Sequence, residues 1–283
     1  MLKKIAKVIS WLKYNPGLFI KHVIIQIKKL MPLPKGPIRK NVNGVLFEFD
    51  FNYDAAIKSM YIGGYEIDIV NVMKKVLKKG DTFIDAGANI GYISAIAAGL
   101  VGKTGQVHSF EPVPRYFRKL ENMAKLNPAY KIVVNQFALG ERNGNANIKV
   151  AETNIGWNTM VPGFLNNESK IREILEIPVK RLDNYIEHNK LKDISLMKID
   201  VEGFEFPVLK GLSNYFKETE CRPVIICEIN HSACLSLGYN LSHLFDFMKT
   251  YDYNTYSLLN LNVKVDITKL KEIADIVFIS RQR

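Results

Sequence analysis

The chain has 283 residues, 47% of them hydrophobic, which is enough to bury one substantial core and compatible with one or two domains. Its net charge of +11 is concentrated: residues 1–40 hold ten basic side chains and no Asp or Glu, while the remaining 243 residues stand at +1. That distribution excludes a protein basic over its whole surface, and without a basic groove in the body or a run of aromatic stacking platforms in the arm it points away from nucleic acid.

In the arm, Leu2, Ile5, Ile9 and Leu12 are spaced for one face of a helix, with Lys3, Lys4 and Lys7 off it. A noisier stretch of the same kind runs from Leu18 to Leu30. No apolar run approaches the ~20 residues needed to span a bilayer, and no small-residue cleavage site follows an apolar core, so neither a transmembrane helix nor a signal peptide is expected. Two readings of the arm stay open: residues 1–30 bind an anionic membrane surface, or they form a helical cap packed on the rest of the protein. Pro32, Pro34 and Pro37 with Gly36 end the arm, giving a basic helical segment of residues 1–40 and a domain of residues 41–283.

Residues 42–51 alternate as a strand of a small hairpin, and 66–78 show helical spacing through Ile69, Val72, Met73, Val76 and Leu77. From Asp81 the pattern becomes strand, glycine turn, helix, repeated. Strands are predicted over 82–86, 106–111 and 131–137, with helices over 92–100 and 114–126 between them. Nearly sixty residues of weak order follow, with a strand over 147–152. Residues 153–169 have no period but hold Trp157, Met160, Val161 and Phe164, which suits a lid over a site. Further strands are expected over 195–200, 224–228, 254–259 and 275–280. This alternation implies an α/β fold, an open, mostly parallel, doubly wound sheet of Rossmann-like type. Cys221, Cys227 and Cys234 form no C-x-x-C pair and have no His at zinc spacing, so reduced thiols in a cytoplasmic protein are expected.

The run from Asp85 to Gly91 (DAGANIG) follows the first of these strands and opens a helix. Gly87 lets the chain turn and approach a ligand; Gly91 lets the helix pack on the sheet. Asp85 at the mouth of the turn would repel a pyrophosphate and attract the ammonium and sulfonium of S-adenosylmethionine. Asn89 replaces the middle glycine of the dinucleotide fingerprint. Glu111, 26 residues after Asp85, ends the next strand and can accept from ribose hydroxyls. These features favour S-adenosylmethionine over NAD. The plainer alternative makes Asp85 a helix cap and Glu111 a surface acid.

Three runs, FIDAGANIGYISAIAA, HSFEPVPRYFRKLENMAKLN and IPVKRLDNYIEHNKLKDISLMKIDVEGFEFPVLKG, resemble the FkbM-type methyltransferases across about residues 60–235. The resemblance implies a Rossmann-like class I methyltransferase fold. It also implies that Asp85, Gly87, Asn89, Gly91 and Glu111 bind S-adenosylmethionine, with Ala138 facing the adenine and Glu66 helping to close the site. The implied activity is O-methylation of a sugar, glycoconjugate or natural-product hydroxyl, so the expected partner is a small-molecule or glycan acceptor. Oligomeric state is not indicated.

Asp200 and Glu202 (KIDVEG) end one late strand, and Glu228 and His231 (CEINH) end the next, so both clusters are expected to face the cofactor turn. Methyl transfer to a hydroxyl needs a proton acceptor: Asp200 is the first choice, His231 the rival, and Glu228 a neighbouring acid that raises the base's pKa. Asp200, Glu228 and His231 offer an alternative divalent-cation site, although no spacing demands a metal and none is predicted. A non-catalytic binding module, an NAD oxidoreductase, and transfer to nitrogen are the remaining alternatives.

Overall fold

Short apolar strands buried on both faces dominate the centre of the chain, as a covered parallel sheet requires. The structure, a computed structural model, describes residues 16–34, 36–54, 56–152, 156–163, 171–219, 221–270 and 272–281. After helix α1 (Pro16–Lys28), strands β1 (Ile38–Val42) and β2 (Val45–Phe49) form an antiparallel hairpin turned at Asn43 and Gly44, both at positive φ. The strand expected over 42–51 is shorter and belongs to a hairpin, because Asn43 and Gly44 make a two-residue turn and its partner strand lies ahead of them. The expected boundary at residue 41 consequently falls inside β1.

Helices α2 (Ala56–Tyr61) and α3 (Ile67–Val76) lead to β3 (Thr82–Ala86), α4 (Tyr92–Val101), β4 (Gln106–Phe110), α5 (Pro114–Lys125) and β5 (Lys131–Asn135). Then come β6 (Ala138–Leu139), β7 (Gly144–Ala151) and β8 (Ile171–Lys180), which form a separate three-stranded sheet in the order β6-β8-β7. Much of the stretch expected to lack order is therefore sheet. Its signal is faint because β8 (IREILEIPVK) buries only two of its ten residues, Ile177 and Val179.

The second half adds α6 (Leu182–His188), β9 (Ile194–Ile199), α7 (Glu205–Lys210), α8 (Ser213–Glu218) and β10 (Val224–Asn230). It closes with α9 (His231–Ser236), α10 (Leu241–Thr250), β11 (Tyr253–Ser257) and β12 (Ile273–Ser280). The main sheet has the order β11-β12-β10-β9-β3-β4-β5. Strands β5, β4, β3, β9 and β10 are mutually parallel, whereas β12 is antiparallel to both its neighbours, so β11 runs with the majority.

Alternation along these strands builds a core on each side of the sheet. Phe83, Val107, Leu196, Ile226 and Val277 face α3, α4, α5 and the hairpin; Ile84, Met197, Ile225 and Phe278 face α6 to α10. Leu18 and Ile25 seat α1 on Ile62 and Ile67 in a small satellite cluster, so this helix has a packed face as the cap reading expects. Among the described residues no helix is long and apolar enough to cross a membrane, and all three cysteines are free thiols.

Candidate active site

Chain order reverses between β3 and β9, and their carboxyl ends open with that of β4 onto one crevice. Counting solvent at its mouth, it takes in about 870 Å³. Gly87, with φ +82°, begins the turn after β3, and a Cβ there would stand 1.8 Å from the Asp200 carbonyl oxygen. The close approach expected of Gly87 is thus first an approach to backbone, because it lets the ends of β3 and β9 meet. Gly91, with φ +87°, ends the turn against Leu120 and Met123 of α5 rather than against the sheet. Gly91→Ala is expected to lower stability by about 1–2 kcal/mol, through a left-handed backbone and side-chain crowding, read as a drop in thermal unfolding midpoint.

Between the glycines, Asn89 adopts φ +51° and its N–H donates to Glu111 Oε2 at 2.9 Å. The Val113 N–H donates to Glu111 Oε1 at the same distance, so the Glu111 carboxylate braces the turn while lining the crevice. Burial pushes it up to about 7, against the pull of those two N–H groups. Glu111 is therefore no surface acid. Each of its oxygens keeps a second lone pair with which to meet a hydroxyl.

Asp85 needs a correction of place. It does not stand at the mouth of the turn: its carboxyl group is wholly buried beneath, outside the crevice wall, and Oδ2 accepts from Ser94 Oγ at 2.5 Å. The reason is strand alternation, which sends the residue before Ala86 down among α4 and β4. The cation acting on it is Lys198, which emerges from β9 and donates to Asp200 Oδ2 at 2.8 Å. Burial works to lower the Lys198 pKa, yet Asp200, Glu66 and Asp85 together hold it well above its ordinary value.

Glu66, at φ +45° just before α3, faces this lysine across the crevice wall. Burial pushes its carboxyl up to about 7, and Oε2 is buried without a hydrogen-bond partner. Ala138, at the start of β6, lines the same space beside Phe137.

Asp200, Glu205 and Glu228 bring carboxylate oxygens within 4.8 Å of one another, with Glu202 on the crevice side. Burial, and then the charge of Asp200, push Glu202 and Glu228 far above the ordinary carboxylate range. Glu205 is pushed by burial up to about 7 even though it accepts from the Val201 and Gly203 N–H groups. Glu205 thus braces the turn between β9 and α7. By donor type the three carboxylates suit a hard divalent cation, although the raised pKa values of Glu205 and Glu228 let protons serve the same purpose.

His231 does not join them, contrary to expectation. Asn230 turns the chain by capping α9 through Ala233 N–H, and the half-exposed His231 ring points to Glu272, 4.0 Å away. It is removed both from the cation alternative and from the crevice wall.

Of the expected lid, residues 156–163 are described, whereas Phe164 lies outside the described residues. Gly156, Asn158 and Met160 line the crevice, and Thr159 Oγ1 donates to the Glu202 carbonyl at 2.7 Å, tying this segment to the KIDVEG turn. Val161 is buried, while Trp157 is exposed.

Carboxyl groups that keep their protons in the folded state set a pH dependence. For Glu111 and Glu205 the folded pKa is about 7, against 4.5 in the unfolded chain. The stability they hold below pH 4.5 is lost as pH rises to about 7. The ligand-free protein is therefore expected to melt at a lower temperature at pH 7.5 than at pH 5, which calorimetric scans across that range would show.

The family described as Methyltransferase FkbM domain matches residues 85–255, from the glycine turn into β11. The chain belongs to the FkbM methyltransferase domain family. Its sheet, with β12 alone reversed, bears out the expected Rossmann-like methyltransferase fold. The hexuronic acid methyltransferase AglP of Haloferax volcanii is 22% identical over 216 residues, covering 76% of this chain and 78% of AglP. Methyltransferase 1 of Beauveria bassiana is 28% identical over 149 residues, covering 47% of this chain and 59% of that protein. The crystal structure of an FkbM methyltransferase from Methylobacillus flagellatus KT aligns with 94% of this chain at a TM-score of 0.44 and 14% identity. The present chain spans 60% of that one.

Sequence reasoning missed Lys198 and Glu205 in this FkbM domain. Both carried a signal: a lysine inside the apolar strand ISLMKI and a glutamate between two phenylalanines are charges in segments otherwise bound for the core. Glu66 and β12 lie outside the family match, yet Glu66 shapes the crevice and β12 holds the sheet together.

Proposed function

We propose that this protein transfers a methyl group from S-adenosylmethionine to a hydroxyl oxygen of a polar, carbohydrate-like acceptor. The observation that carries the reading is the acidic crevice wall: Glu66, Glu111 and Asp200 stand there with the ammonium of Lys198, and Glu202 adds a protonated carboxyl group. Such a wall suits a cationic ligand and opposes a diphosphate, which weighs against an NAD oxidoreductase.

The residues fit this donor. The orphaned Glu66 Oε2 is a buried acceptor in need of a donor, as an ammonium supplies. Glu111 lies where hydroxyls of a ribose would meet its free lone pairs, and Ala138 and Phe137 give an apolar wall for a base. Gly87, Asn89 and Gly91 shape the turn, and Asp85 contributes charge from beneath it. When bound, S-adenosylmethionine supplies an electrophilic methyl carbon on a sulfonium.

The chain's own part is to place the acceptor and take its proton. Asp200 is held by Lys198 at the crevice wall, and its carboxylate accepts the hydroxyl proton as the oxygen forms its bond to carbon and the bond pair leaves with sulfur. Glu202 and Glu228, kept neutral, spare Asp200 two further negative charges and offer O–H donors to an acceptor rich in oxygen. Such donors suit a sugar, and the similarity to AglP, named a hexuronic acid methyltransferase, supports that class.

Calorimetry should show S-adenosylmethionine binding and no measurable heat with NAD; the reverse would remove the proposal. Incubation with the labelled donor and fractionated cell extract should then yield a labelled glycan ether. Label on nitrogen would leave the donor reading intact and overturn the acceptor.

A further inference from the structure

Helix α1 is apolar on two opposite faces, and only one of them is packed. Leu18 and Ile25 are buried against Ile62 and Ile67, but Ile20, Val23, Ile24 and Ile27 are 43–61% exposed. At 3.6 residues per turn these four cluster on the side of the helix roughly opposite Leu18 and Ile25. Leu30 and Met31, just past the helix, extend the apolar surface at 86% and 61% exposure. A cap that only packed on the domain would need one stripe, as the Leu18–Ile25 face supplies. Six large apolar side chains left exposed together on a docked helix mark a binding surface.

Its borders identify the partner. Lys21 and Lys28 flank the exposed face and, with Lys74 of α3, line a cleft shared with Ile24, Ile62 and Tyr65. Lys21 is lowered from its ordinary pKa by burial and by the charges of Lys74 and Lys28, with Asp68 as the opposing neighbour. Three crowded ammonium groups beside exposed isoleucines ask for an anion attached to hydrocarbon. Residues 1–40 hold no acidic residue, so Asp68 stands as one acid against three ammonium groups.

We propose that α1 and this lysine cleft seat the protein on an anionic phospholipid bilayer. Ile20, Ile24, Ile27 and Leu30 enter the headgroup boundary, and Lys21, Lys28 and Lys74 meet lipid phosphates. Tyr65 and Tyr92 wall both the cleft and the crevice, so the bilayer lies beside the site.

The test uses the full chain and sized vesicles, with or without 30% phosphatidylglycerol in phosphatidylcholine, read by flotation. The protein should float with anionic vesicles only, and binding should weaken as salt is raised. The pair I24E with I27E should abolish flotation. Lys21→Gln with Lys28→Gln should weaken it about twentyfold or more, since each lysine near the headgroups contributes about fivefold. Both variants should keep the wild-type melting temperature and donor affinity, which separates this outcome from misfolding and from any failure of the methyl-transfer reading. Failure of the wild-type chain to float would overturn the proposal, as would equal flotation on neutral vesicles. A dimer that I24E with I27E converts to monomer would also overturn it, by assigning the face to a second copy.

Discussion

Lys198→Met is expected to lower the unfolding free energy by about 3–5 kcal/mol, because it removes the one cation from among three carboxyl groups and leaves them uncompensated. Asp200 loses a 2.8 Å partner, while Glu66 and Asp85 lose the positive charge that opposes their burial. The side chains retained are then stable only as neutral acids. The variant should accordingly recover part of the loss at pH 5, and a urea titration at pH 5 and pH 7.5 measures both effects. A methionine variant as stable as the parent at pH 7.5 would show that the three acids do not share a field with the lysine.

Asp200→Asn should lower the rate of methyl transfer by about 10²–10⁴-fold, the span covered by a positioned general base. An asparagine still accepts from Lys198 Nζ, so packing and donor affinity should hold while the proton acceptor is lost. Single-turnover kinetics with a saturating donor isolates that step. His231→Ala is the control: with its ring half exposed and turned to Glu272, it should stay within about twofold of the parent. If the histidine variant loses the activity and the asparagine variant keeps it, the proton acceptor has been misassigned.

Where backbone pattern decides structure, the sequence was easy to read. Strand β3 begins and ends where the apolar run TFIDA does, and α4 and α5 open at the residues expected, Tyr92 after the glycine turn and Pro114 at a helical first position. Of the second sheet the strand expected over 147–152 overlaps β7, but β8 escaped because it is largely solvated and so lacks the continuous apolar signature of buried strands. In the site, residue types in a turn pointed to the crevice, and Glu66, Gly87, Asn89, Glu111, Ala138 and Asp200 stand at its wall, while Gly91 packs against α5. Which way each side chain points was harder to foresee. Asp85 went under the turn through strand alternation, and His231 was carried outward once Asn230 began a helix. Glu228 landed among acids one step behind the wall. Such outcomes depend on one residue of register, which spacing alone leaves undetermined.

The place of β12 between β10 and β11 separates the order in which ribbons are made from the order in which they lie. Synthesis delivers β11 before there is anything for it to pair with, and about fifteen residues later β12 wedges in to join it to the rest. A fragment trimmed to the family-matched segment, ending at residue 255, would leave β10 with a bare rim of unpaired amides and carbonyls and β11 adrift. Such a trimmed piece should clump by edge pairing, so anyone seeking a minimal working unit must carry the chain through Ser280.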